Sequence, residues 1–230
     1  LRFANEVIGG EILLQAIFTQ YDTRHNINNF DYIRGSIDYF LWTGDVDFLR
    51  QSLPRIRQAL RYAQREFRTL ENKCVLTPWV GHDGRSGVER NADGSPRILP
   101  GRGVGNNYWD LLPFGHKDSY ASIRYYHTLV RFAELERAIL QHPEWALSGI
   151  DGAFDAEQLE QHARDVKAEG NRVFWSEETG RFVAGPDKEG VRTDYGFTFL
   201  NTDAIHYGFA TDAHAREIMD WIEGRRIVAG

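Results

Sequence analysis

Residues 40–63 read FLWTGDVDFLRQSLPRIRQALRYA, and two amphipathic helices joined by a three-residue joint account for the whole stretch. Upstream of the joint, Phe30, Ile33, Ile37 and Leu41 keep one helical face. Downstream, Leu49, Leu53, Ile56, Leu60, Ala63, Phe67 and Leu70 repeat that face at spacings of three and four. In Thr43-Gly44-Asp45 the glycine suits the left-handed residue that ends a helix, and the aspartate suits the N-cap of the next. So short a joint makes an antiparallel helical hairpin. Pro54 lies inside the second pattern and predicts a kink or a late helix start.

The pattern recurs along the chain. A helix is expected from about Lys117 to Gln141, with a wide apolar surface that implies burial on two sides. Asp155 and Gln158 read as a capping box ahead of Leu159, Ala163, Val166 and Val173, which completes a second hairpin. A short β-turn excursion around Thr179-Gly180, within about 174–184, precedes a third, with helices from roughly Thr198 to Phe209 and Thr211 to Glu223. The opening segment, with Ile8, Ile12, Leu13, Ala16 and Ile17, reads as one helix of a broken fourth hairpin. Solenoid repeats have near-constant loops, whereas here one joint is tiny and another, about 73–116, is long enough to suggest a functional connection. The expected class is therefore all-α: an α/α toroid with short turns at one end and long loops building a site at the other. The chain starts without Met and in mid-pattern, and its end, GRRIVAG, stops without a cap or tail. It is expected to be a single catalytic-type domain over 1–230, taken from a longer protein.

Bulk properties narrow the function. The 230 residues are 42% hydrophobic with a net charge of −6, which gives no basic field for a nucleic-acid partner. No apolar run is long enough for a membrane span. A lack of signal-type patterning, together with one cysteine, favours the cytoplasm. Cys74 excludes an internal disulfide and a cysteine zinc site and reads as a small buried residue. No nucleophile elbow, phosphate-cradling loop or His-Glu-x-x-His helix occurs. The histidines lack paired ligand spacing, so no metal is expected, although calcium held by aspartate and backbone oxygens stays open. Aromatic residues make up 13% of the chain; they are either absorbed by a large helical core or line a cleft where sugar rings stack.

The long connection ends in GNNYWDLLPFGHKDS, residues 105–119. Its apolar part, Leu111 to Phe114, plugs the helix bundle, and Asp118 or Ser119 caps the next helix. Asn106, Asn107, Tyr108, Trp109, Asp110 and Lys117 are then left to face a cavity, supplying the amides, carboxylate and flat rings that bind sugar hydroxyls and C–H faces. A carboxyl beside Trp109 is partly desolvated and holds its proton closer to neutrality, which makes Asp110 the candidate general acid. Earlier in the connection, Trp79, His82, Asp83 and Glu89 form either a solvated excursion or part of a substrate wall. Glycoside hydrolysis needs a second carboxylate, at about 6.5–9.5 Å for inversion or about 5–5.5 Å for retention. Asp194 and Asp203 are the weaker candidates for it within this chain.

The stretches FLWTGDVDFLRQSLPRIRQALRYA, NNYWDLLPFGHKDSYASIRYYHTLVRFAELERA and RVFWSEETGRFVAG resemble the six-hairpin glycosidases. This (α/α)6-barrel superfamily includes α-L-rhamnosidases, trehalases and processing α-glucosidases, and the resemblance runs from about residue 28 onward. It implies an inverting glycoside hydrolase with a carbohydrate substrate and no cofactor. In the trehalase and processing-glucosidase branches the catalytic acid is an aspartate in an aromatic, glycine-containing loop. Asp110 of YWD matches that position, preceded by GNN where those branches have Glu-Ser-Gly. Their catalytic base comes from a late hairpin, which implies a partner outside this chain. The acidic cluster that follows a Cys-Pro pair in rhamnosidases is not in the sequence. Disaccharide phosphorylases and sugar epimerases use related barrels, and a non-catalytic carbohydrate-binding or scaffolding domain is the remaining reading.

Overall fold

A computed structural model describes residues 26–76, 92, 116–187 and 189–228, together with the backbone of 2–8, 11–18 and 21–23. Two antiparallel hairpins carry most of the helix. The first pairs α1 (Asn28–Thr43) with α2 (Val46–Glu66), and the second pairs α4 (Ser119–Gln141) with α5 (Ala156–Phe174). Between them lie a single helical turn, α3 (Thr69–Asn72), and the two-stranded ladder of β4 (Val75–Leu76) and β5 (Lys117–Asp118). After α5 come a small hairpin of β6 (Trp175–Ser176) and β7 (Arg181–Phe182), then α6 (Thr198–His206) and α7 (Asp212–Ile222).

The joints form as their residues dictate. Gly44 takes left-handed backbone with φ 66° and donates its N–H to the Phe40 carbonyl at 2.7 Å. The Asp45 carboxylate accepts from the Phe48 N–H at 2.8 Å. Asp118, Asp155 and Thr211 cap α4, α5 and α7 in the same way. The Gly180 N–H closes the β6–β7 turn on the Ser176 carbonyl.

Helices α1, α4 and α6 form an inner layer in which α4 is central, and α2, α5 and α7 lie against it as the outer layer. One apolar cluster runs through both, from Ile27 to Ile218. Helix α4 buries two stripes, with Ile123, Tyr125, Leu129 and Phe132 among them. The short α1–α2 turn sits beside the turn after α4: Arg50 donates to the Trp145 carbonyl at 2.9 Å and the Phe40 and Trp145 rings meet edge to face at 5.2 Å. At the opposite end the two long connections meet, where His116 and Lys117 donate their N–H groups to the Pro186 carbonyl. The all-α toroid arrangement, with short turns and long connections at opposite ends, therefore holds.

Three expectations need correction. The opening segment is not helical: β1 (Arg2–Ile8), β2 (Glu11–Phe18) and β3 (Tyr21–Thr23) form an antiparallel sheet, with Ile8 paired to Glu11. The glycine pair between β1 and β2 in the sequence is a two-residue hairpin signal that outweighs the four-residue apolar spacing. Helix α2 starts at Val46 and runs unbroken past Pro54, whose ring is exposed, so there is no late start. Leu41 and Leu70 are exposed rather than core. Phe40 takes the inward position on α1, and Leu70 follows Phe67 and the left-handed Arg68, where α2 has already ended.

A buried ion pair ties the two layers together. The Arg57 guanidinium on α2 is 1% exposed and donates to Glu136 of α4, from Nε to Oε1 at 2.9 Å and through a second N–H to Oε2 at 2.6 Å. Its remaining amino group donates to the carbonyls of Ile150 and Asp151, and Glu136 Oε1 also accepts from the Phe154 N–H. Glu136→Ala leaves the guanidinium buried without its counter-charge, and urea denaturation should show a loss of about 3–5 kcal/mol. Replacing Arg57 and Glu136 together by Met and Leu should recover most of that loss.

A second buried polar link joins α3, α4 and α5. Tyr125 is fully buried, and its hydroxyl lies 2.9 Å from both Thr69 Oγ1 and His162 Nε2. Burial, aided by Lys73, lowers the His162 pKa from 6.5 to about 4, so the folded state holds this imidazole neutral. The unfolded chain then binds the extra proton first. Stability should be complete above pH 6.5 and fall as the pH drops toward 4. Thermal melts across that window should show a shallower fall in His162→Gln than in the parent.

Candidate functional site

The inner layer presents two complementary charged stripes. On α1, Asp31, Arg34 and Asp38 follow one another at spacings of three and four; on α4, Arg124, His127 and Arg131 do the same. Such spacings keep each set on one face of its helix. Arg124 donates to Asp31 Oδ1 at 2.9 Å and, through its other amino group, to Asp203 Oδ2 of α6 at 3.3 Å. One guanidinium thus holds a carboxylate from each neighbouring inner helix. Arg34 donates to Asp31 Oδ1 at 3.5 Å and to the Tyr207 hydroxyl at 3.0 Å, and Arg131 donates to Asp38 at 3.2 Å.

Aromatic rings complete this wall. The Arg124 guanidinium lies 4.5 Å from the Tyr120 ring centre and that of Arg34 lies 4.7 Å from the Tyr207 ring. Both arginines bury an Nε that has no hydrogen-bond acceptor among the described residues, and these cation–π contacts offset part of that cost. The His127 imidazole stacks on Tyr207 at 4.2 Å. Burial, with Arg34 and Arg131 beside it, brings the His127 pKa down to about 4, so it is neutral at pH 7. Burial raises the Asp203 pKa despite the opposing pull of Arg124 and Arg34. Asp31 also borders a cleft of about 380 Å³ along α1, with Tyr32, Tyr39 and Phe48 among its walls.

The candidates read from the sequence fall in different places. Asp110, with Trp109, Tyr108, Asn106, Asn107, Trp79 and Glu89, lies outside the described residues. Both flanks of that segment are nonetheless fixed, because Leu76 pairs with Lys117 in the β4–β5 ladder directly before α4. Lys117 Nζ is 3.9 Å from Glu169 Oε1. Its carbonyl presses on Gly185, where any Cβ would collide with it. Asp118 caps α4 by accepting from the Ala121 N–H at 2.9 Å, and it also accepts from the Asn26 amide at 2.8 Å.

Asp194 is closed into a structural pair: both its oxygens accept from Arg181 Nε, and Oδ1 also accepts from the Gly196 N–H. Asp203 belongs to the charged wall. The sequence reading did not single out Asp31, Arg34, Arg124, His127 or Arg131, although the matched spacing of opposite charges on two neighbouring helices is a readable signal. Among the described residues no group of three or more His, Cys, Asp or Glu side chains is arranged to hold a metal ion.

Two solved rhamnosidase structures share this helical arrangement. The GH78 family rhamnosidase of Bacillus sp. GL1 superposes with a TM-score of 0.54 and 13% identity, over 86% of this chain and 17% of its own. The rhamnosidase from Klebsiella oxytoca, with rhamnose bound, gives 0.53 and 13% over 91% of this chain and 32% of its own. The chain shares its fold with part of each of these two enzymes. The chain spans less than a third of either enzyme. No protein-family profile and no curated protein matches its sequence. Among the described residues no helix is long and apolar enough to cross a membrane.

Arg124→Met would remove the cation that joins Asp31 to Asp203. The Asp203 carboxyl, already raised by burial, should then titrate at a still higher pH, as read from its side-chain carbon resonance.

Proposed function

We propose that the chain belongs to the catalytic domain of a six-hairpin glycosidase and takes part in acid/base hydrolysis of a glycosidic bond with inversion. The observation that carries this reading is the shared fold with two rhamnosidases over most of the chain. In support, the described residues on either side of the Asp110 segment, Leu76 and Lys117, pair at the N-terminal end of the central inner helix, beside the second long connection. Asp110 donates the proton to the leaving oxygen. Trp109, Tyr108, Asn106, Asn107, Trp79 and Lys117 surround the sugar, and no cofactor is required. The catalytic base lies on a part of the protein beyond these hairpins, with Asp203 the weaker candidate inside the chain, since Arg181 occupies both oxygens of Asp194, and Glu89 belongs to the substrate wall. The sequence is one portion of a single barrel domain.

One observation favours a second reading, a carbohydrate-binding domain without catalysis. Asp31 and Asp203 are both held by the same arginine, an arrangement suited to binding hydroxyl groups rather than moving a proton. Hydrolysis separates the two readings. In the full-length protein, Asp110→Asn should leave the melting temperature unchanged and lower turnover of aryl glycosides by at least about a hundredfold. Turnover within a factor of two of the parent would remove Asp110 from the role of acid.

A further inference from the structure

We propose that the outward face of α1 is the seat of a helix from a further hairpin of the same barrel domain, outside residues 1–230. The proposal rests on the reading of this sequence as one portion of a barrel and does not involve Asp110. Helix α1 divides its residues among three faces. Phe30, Ile33, Ile37 and Phe40 are buried in the core. Asp31, Arg34 and Asp38, each one position after a core residue, face α4 and the end of α6. Tyr32, Gly35 and Tyr39, one position later again, lie about 100° further round the helix, and Trp42 carries this stripe into the last turn. Strand β2 also meets α1 and α2, and with it in place Tyr39 and Trp42 are still 46% and 90% exposed. Tyr32 and Tyr39, with Phe48 of α2, wall a cleft of about 380 Å³ that Gly35 and Ser36 also line.

Gly35 is an independent sign of a close neighbour. Glycine inside a helix is unfavourable relative to alanine, and a close approach is what offsets that cost. Gly170 on α5 has such a reason, since a Cβ there would lie 2.1 Å from the Phe209 ring. At Gly35 a Cβ would meet no described atom within 4 Å, so the neighbour it accommodates is not among the described residues. The period of the stripe identifies that neighbour. Residues 32, 35, 39 and 42 alternate spacings of three and four, and an α-helix lying along α1 presents side chains at matching intervals. Gly35 lets its backbone come close between Tyr32 and Tyr39. The inner layer supplies the place, because α4 has described helices on two flanks, α1 and α6, whereas the stripe on α1 faces away from both. The chain spans less than a third of either rhamnosidase that shares its fold, so further hairpins of one domain are the available source.

Photo-cross-linking in the full-length protein tests this, with p-benzoylphenylalanine incorporated in place of Tyr39. Irradiation should join position 39 to a residue of the same molecule outside 1–230, found as a linked peptide by mass spectrometry. A link to a second copy, a link confined to residues 1–230, or no link at all overturns the proposal. Gly35→Ala reads the same contact by the sign of its effect. On a helix face open to water alanine raises stability. Beneath a close-packed helix the added methyl should instead lower the melting temperature of the full-length protein by about 2 °C or more. An unchanged or raised melting temperature overturns the proposal as well. Failure of the catalytic reading shows separately, as full turnover in Asp110→Asn, a variant in which the link from position 39 should form as in the parent.

Discussion

The Arg57–Glu136 pair is the constraint around which the two helical layers are assembled. It joins α2 of the outer layer to α4 of the inner layer, and its leftover donors and acceptors also hold the backbone between Ile150 and Phe154 that leads into α5. Burying two charges is costly unless every lone pair and N–H is engaged. Here the geometry is bidentate and the remaining amino group finds two carbonyls. The apolar residues around it, such as Ile56, Leu60, Phe132 and Leu129, would pack in several registers by hydrophobicity alone. Only one register pairs the guanidinium with the carboxylate, so the pair selects the alignment of α2 on α4.

With α4 held from behind, its front face is free for polar work. The central helix of such a layer packs against the outer helices on one side and against neighbouring inner helices on the others, so its polar residues collect where those inner helices meet. Arg124, His127 and Arg131 lie there, opposite Asp31, Asp38 and Asp203. Arg131 is also shared with Glu134 of its own helix, so opposite charges alternate along the wall.

Much of the fold was legible before the structure. Gly44 and Asp45, Asp118, Asp155, Thr211 and the Thr179-Gly180 turn act within a few residues of themselves, so their roles follow from local backbone chemistry. The errors came where two local signals competed. Residues 2–18 carry both a four-residue apolar spacing and a strand–Gly-Gly–strand pattern, and the second prevailed. Phe40 and Leu41 stand three and four residues after Ile37, both helical spacings, and the packing of Trp145 against Phe40 chose between them. The site was less legible. The aromatic 105–119 stretch carries the conspicuous residue types, while the described polar wall is built from ordinary-looking arginines and aspartates.

From residue 28 onward the sequence by itself determined which described segments are helical, where most of them begin and end, and that short and long connections alternate, because capping, periodicity and turn preferences are short-range. Only the tertiary structure decided which charges meet. Asp31 and Arg124 are 93 positions apart and Arg124 and Asp203 are 79 apart. Their pairing depends on how α1, α4 and α6 lie side by side, which the buried clamp and the core settle together and which no local pattern encodes.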